Sequence, residues 1–408
     1  MSSDTVTYHT LGNGLRVVHR LVPGDVECCG VAVNTGSRDE SPLHYGLAHF
    51  VEHTIFKGTG RRRSHHIINR METVGGELNA YTTKEETIVY AIFPKGNLVR
   101  ATELIADLVT GSIFPADELD REREVVADEI NSYLDSPSEA VYDDFEDMVF
   151  AGSQLGHNIL GSTHTLRHFD SATCRDYLHR YYTAPEMVFF YAGSTPADRL
   201  FRTAERYYSR IDSRPAPKCR KPPATVTPFS ATKHVDTHQS HIIIGAPVGS
   251  LYHPARYSVA LLTNILGGPG MNSRLNVSLR ERRGLVYSVD ASTSLFTDCG
   301  LMTIYFGCDP ADAARCRRLV MTELSRIATD TIPERTLNRA KNQYLGQLVI
   351  ASANIEQLAL STARATLFHG RAALPDEISD RIMAVTPGDI RSAAEATAPS
   401  CCSTLIFT

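Results

Sequence analysis

Five consecutive residues, His49-Phe50-Val51-Glu52-His53, concentrate the chemistry of this chain. On a helix, positions i and i+4 share one face, so the imidazoles of His49 and His53 can reach a single ion. Glu52 projects beside His49, where a carboxylate can hold and deprotonate a metal-bound water. The order inverts the more familiar H-E-x-x-H but keeps its geometry. A catalytic zinc needs a third protein donor and an open position for water. The stretch 119–130 supplies the donor: Glu122 and Glu129 stand seven residues apart, two helical turns, on a shared face. Glu129 sits among Val125, Val126 and Ile130, and a half-buried carboxylate there needs a partner. Glu124 and Asp128 fall elsewhere on the wheel and read as solvated. His65 and His66 follow Arg61-Arg62-Arg63 and read as exposed, and His44, His157 and His164 lack ligand spacing.

The elements that would position this set recur. A strand-like Val31-Ala32-Val33 leads through Thr35-Gly36-Ser37 to a helix from about Leu47. Ile242-Ile243-Ile244 leads through Val248-Gly249-Ser250 to a helix from about Val259, an offset of 213 on the two serines. Phe114-Pro115 matches Ile332-Pro333, and Thr183-Ala184-Pro185 matches Thr397-Ala398-Pro399, each followed by a strand or a long helix. We read a duplicated unit of about 200 residues. A proline-rich stretch at 213–228, with Pro215, Pro217, Pro222, Pro223 and Pro228, predicts an extended, exposed linker. The expected domains are 1–212, carrying the metal set, and 229–408. Apolar runs at 87–93 and 301–306 predict strands, and 101–108 and 311–327 predict amphipathic helices. The fold class expected is α+β, two similar domains of mainly antiparallel sheet packed with helices. The repeat also acts as an internal control. At its offsets His49, Glu52, His53, Glu122 and Glu129 map to Leu262, Ile265, Leu266, Ala340 and Gln347. One unit reads as chemically active and the other as supportive.

The bulk numbers narrow the class further. A length of 408 residues calls for more than one core. A net charge of −5 argues against nucleic-acid binding through bulk charge and gives no sign of a membrane-surface protein. No run of about 18 apolar residues predicts a membrane span. The first 20 residues hold no apolar core of a signal peptide. Nine scattered cysteines without a C-x-x-C predict free thiols in a reducing cytoplasm. Gly267-Gly268-Pro269-Gly270 reads as a helix stop and turn.

The H-x-x-E-H motif, a glutamate 76 residues after its last histidine and the two similar halves resemble the pitrilysin-type M16 zinc metallopeptidases. That family includes insulin-degrading enzyme and mitochondrial processing peptidase, and the resemblance covers nearly the whole chain. It implies zinc, one per chain, held by His49, His53 and Glu129, with Glu52 as general base and Glu122 orienting a ligand histidine. Gly75-Gly76-Glu77-Leu78-Asn79-Ala80-Tyr81-Thr82 resembles the family's substrate-binding edge strand, with Asn79 and Ala80 meeting the peptide. Arg280 and Tyr287, with six residues between them, resemble its arginine–tyrosine pair for the tetrahedral intermediate. The length matches half-size members that dimerise around a chamber. The resemblance therefore implies an endopeptidase for short or unfolded peptides, working as a homodimer or with a related chain. It leaves open whether Arg280 and Tyr287 act in cis or in trans. The competing readings are a non-catalytic assembly protein of the same fold and a metal enzyme for a non-peptide substrate.

Overall fold

Eleven strands form two sheets in the computed structural model, which describes residues 5–408; residues 1–4, part of the stretch read for a signal peptide, lie outside it. The first sheet contains β1 (Thr5–Thr10), β2 (Arg16–Leu21), β3 (Val26–Val33), β4 (Glu77–Thr82), β5 (Thr87–Pro94) and β6 (Met187–Gly193). Their spatial order is β1-β2-β6-β3-β5-β4, and only β2 and β6 run parallel. The second contains β7 (Ser230–Lys233), β8 (Ser240–Val248), β9 (Val286–Leu295), β10 (Gly300–Cys308) and β11 (Ser403–Phe407), in the order β7-β11-β8-β10-β9. Again one pair, β7 and β11, is parallel. Leaving out β1, the two sheets share order and polarity, so the repeat legible in the sequence is a repeat of topology. The architecture is the expected mixture of two largely antiparallel sheets with helices.

Five helices of the first half matter most: α1 (Leu47–Thr54), α2 (Ser64–Glu72), α3 (Leu98–Gly111), α4 (Ala116–Leu134) and α5 (Pro137–Val149). The chain forms two compact units that are interleaved. One unit comprises residues 1–130, 158–220 and 350–374; the other comprises 131–157, 221–349 and 375–408. The expected halves, 1–212 and 229–408, therefore exchange a helix each. The reason lies in the strands. Every residue of β6 is buried, because its alternating side chains serve two cores. Met187, Phe189 and Tyr191 join the core under α1 and α3. Val188, Phe190 and Ala192 face Ala359, Ala363 and Leu367 of the helix Ile355–His369, which comes from late in the chain. In the other unit Ile242, Ile244 and Met302 face one core. Ile243, Leu405 and Phe407 face the second, where Val141 and Phe145 of α5 cover them. Each central strand reads as apolar on both faces, and each sheet takes its second cover from the other half of the sequence.

The linker holds no helix or strand, as its prolines require. Its basic residues are not free, however. Lys218 Nζ lies 2.5 Å from Glu186 and also donates to the Asn34 carbonyl. Arg220 places two nitrogens on Asp39, at 2.9 and 2.7 Å, and donates to the Glu85 carbonyl. The expectation of an exposed linker therefore fails at these two positions, because buried carboxylates need cations and the linker brings them. Arg38, fully buried, completes the cluster with Glu85 at 2.6 Å. Arg220→Ala should lower stability by roughly 3 kcal/mol, the cost of removing one partner of a buried pair. Denaturant unfolding measures this, and a midpoint equal to wild type would contradict the anchoring.

Candidate metal centre

Helix α1 has eight residues, of which Leu47, Ala48, His49, Phe50, Val51 and Thr54 are buried. So short a helix needs tertiary packing to persist, and Phe50 supplies part of it, its ring tilted 47° against that of Phe169 with centroids 5.5 Å apart. The remaining edge, Glu52 and His53, is half-buried. Helix α4 has 19 residues and buries Leu119, Glu122, Val126 and Ile130, a stripe at helical spacing with a carboxylate inside it. Glu129 is half-buried, and Glu124 and Asp128 are exposed.

The two helices bring three donors together. One ligand atom each from His49, His53 and Glu129 lie within 4.8 Å of one another. His49 Nε2 stands 3.7 Å and His53 Nε2 3.4 Å from Glu129 Oε2. That oxygen is buried and, among the described residues, accepts no hydrogen bond. Donors about 2.0–2.2 Å from a tetrahedral zinc stand roughly 3.3–3.6 Å apart, so the spacing fits a cation. An N,N,O set with an otherwise orphaned carboxylate oxygen suits zinc in particular.

The electrostatics point the same way. Burial, with help from His53, drives His49 down to about 3, so its imidazole is neutral with a lone pair to give. His53 Nδ1 lies 3.0 Å from Glu122 Oε1. A carboxylate accepts, so Nδ1 carries the proton and Nε2 is the free donor atom toward Glu129. Burial opposes the charged form of His53, but the Glu122 bond and the charges of Glu52 and Glu129 outweigh it and raise its pKa. Burial likewise works against the Glu122 carboxylate, yet the bonds from His53 and Lys57 hold it below the usual range. Glu52 is pushed up to about 7, chiefly by burial, with His53 pulling against it.

Lys57 is the part of this arrangement that motif reading missed. Its Nζ lies 2.6 Å from Glu122 Oε2. It follows His53 by four residues but lies past the end of the helix, where spacing no longer tells which way a side chain points. Glu122 thus stands between His53 and Lys57. Asn79 and Ala80 are half-buried on β4, the edge strand of the first sheet, in register with Tyr90 and Val89. Helix α1 packs against that strand. Arg280 and Tyr287 lie in the other compact unit. Arg280 is exposed in a π-helical turn, Asn276–Glu281, and Tyr287 is 66% exposed near the start of β9.

Comparison with known proteins places this geometry in context. The family model described as Insulinase (Peptidase family M16) matches residues 17–163, and Peptidase M16 inactive domain matches residues 168–344. An uncharacterized zinc protease of Streptomyces coelicolor is 32% identical, over 96% of this chain and 86% of its own. An uncharacterized zinc protease of Bacillus subtilis is 31% identical, over 92% of each chain. Among solved structures, a protease from Helicobacter pylori superposes with a TM-score of 0.94 at 19% identity, covering 99% of both chains. A peptidase M16 inactive domain from Pseudomonas fluorescens gives 0.91 at 16% identity, covering 99% of this chain and 97% of its own. These two likenesses speak to the fold.

Proposed function

The chain belongs to peptidase family M16, and from that premise we propose that it is a zinc-dependent endopeptidase acting on short or unfolded peptides inside a chamber formed by a dimer. The observation that carries the reading is the meeting of His49, His53 and Glu129 around an unsatisfied carboxylate oxygen. The match of the second half to an inactive domain agrees with the loss of all five ionisable side chains in the second copy. The names of the relatives, zinc proteases, support the metal and the reaction class.

In this reading His49, His53 and Glu129 hold one zinc, and Glu122 with Lys57 fixes the ring of His53. Zinc bound there would polarise the scissile carbonyl and lower the pKa of water to about 7. Glu52 takes the proton of the attacking water and returns it to the leaving amine nitrogen. The outer edge of β4, at Asn79 and Ala80, pairs with the peptide backbone as an added strand. Tyr287 and Arg280 are assigned the donation of hydrogen bonds to the developing oxyanion, worth roughly 2.7–4 kcal/mol for one well-placed donor. The partner is a second copy or a related chain. We assign the cytoplasm on the nine cysteines, which have no C-x-x-C spacing; among the described residues no helix is long and apolar enough to cross a membrane.

Metal analysis joined to peptide digestion tests this. The purified chain should carry about one zinc and cleave a mixed peptide library, and a chelator should suppress cleavage until zinc is restored. Cleavage indifferent to chelation, or a protein that takes up no zinc, would refute it.

A further inference from the structure

Glu40 is buried and lies outside the metal donor set, six residues before Gly46, the N-cap of the helix that carries both histidines. Its Oε2 accepts from the Gly46 N–H at 2.9 Å and its Oε1 from the Ala48 N–H at 2.5 Å. Those are backbone donors at the open N-terminus of α1, which helices normally satisfy with the side chain of the N-cap residue. Here the N-cap is Gly46, which has no side chain to offer. Nor could another residue serve there. Gly46 adopts φ +96°, and a Cβ would stand 2.5 Å from the Leu160 carbonyl oxygen and 2.9 Å from Gly161. The loop against which α1 starts forbids a local cap, and a remote carboxylate replaces it. Burial pushes the Glu40 carboxyl well above the usual carboxylate range, and the two backbone bonds from Ala48 and Gly46 pull against that.

Glu40 is itself held on both sides. Ser37 and Arg38 donate backbone bonds to the carbonyls of Thr83 and Lys84, at 3.1 and 2.8 Å. The Arg38 side chain is locked to Glu85, and Asp39 is clamped by Arg220. The Glu40 carboxylate is therefore a fixed point on which the first turn of α1 hangs, and His49 lies one residue beyond its second contact.

We propose that Glu40 is a positioning residue for the metal centre: it caps α1 from a distance and so sets where His49 and His53 stand relative to Glu129. It touches neither metal nor substrate. The inference rests on the zinc reading above and concerns how this chain prepares the site. Glu40→Gln keeps the shape but replaces one acceptor oxygen with a donor, so one of the two N–H groups loses its partner. The expected result is zinc affinity at least about tenfold weaker, in the range seen when groups supporting a metal's ligands are removed. Competition against a chromophoric chelator reads this directly, with no need for turnover. The zinc-free melting temperature is recorded beside it. Leu262→Ala, a core cavity in the other unit, should lower that temperature and leave zinc affinity unchanged, separating positioning from general loosening. Should Glu40→Gln not fold, Glu40→Asp, which retains the carboxyl group but shortens the reach, is measured instead with the same expectation. Affinity within twofold of wild type overturns the proposal, as does failure of both variants to fold, which would make Glu40 a core residue. If wild-type protein itself binds no zinc, the parent reading fails first and this one falls with it.

Discussion

Glu52→Gln is expected to abolish peptide hydrolysis while leaving zinc bound. Glu52 lies on the same helix as both histidines, yet the donor cluster consists of His49, His53 and Glu129 without it. Its carboxyl is pushed up to about 7 by burial, with His53 opposing. A group titrating near neutrality can both take and return a proton, which is what a general acid–base catalyst needs. Glutamine preserves volume but cannot carry the proton, so kcat should fall by about 10²–10⁴-fold. A dication nearby favours the carboxylate, so the acidic limb of the wild-type profile should lie at or below pH 7. Fluorogenic turnover against pH, with zinc content measured on the same samples, decides the matter. Full activity in the variant would remove Glu52 from the mechanism.

The second large effect is expected at Glu129. Glu129→Gln exchanges the orphaned oxygen facing two imidazoles for an amide, a much weaker donor to zinc. Four-coordinate zinc sites gather roughly 10–16 kcal/mol, so one ligand's share corresponds to an affinity loss of about 10²–10³-fold. Glu122→Gln should do less, about tenfold, because an amide oxygen can still accept from His53 Nδ1 while the charge facing Lys57 is lost. The two variants titrated with zinc side by side give an order as well as a magnitude. Equal losses, or a larger one at Glu122, would mean that the ligand and its support have been exchanged in this reading.

What could be read from the sequence follows from how local each relation is. The His49–His53 pair and the Glu122–Glu129 pair each belong to one helix, and helical periodicity places such residues without tertiary knowledge. The repeat was legible because apolar strands and turn residues recur in order, and the shared strand order of the two sheets agrees with it. Lys57 was harder, since it follows α1 through a turn where no period applies. Glu40 was illegible: its bonds to Gly46 and Ala48 cross a loop and depend on the backbone of Leu160. The exchange of α5 and the helix Ile355–His369 was illegible for a different reason. Amphipathic spacing says which face of a helix is buried but not which sheet buries it. Lys218 and Arg220 read as solvated charges because their carboxylate partners lie 32 and 181 residues away.

The interleaving has a consequence for biosynthesis. A ribosome delivers residues in order, yet the first sheet receives its last cover only with residues 350–374. From residue 220 to residue 374 is 154 residues, which at 5–20 residues per second means a wait of about 8–30 s. During that interval Val188, Phe190 and Ala192 lack the helix Ile355–His369 that covers them, an opening for chaperones or for aggregation. The helices that carry His49, His53 and Glu129 can be made long before the layer behind them is closed, so an early nascent chain would present these three donors on an unfinished scaffold.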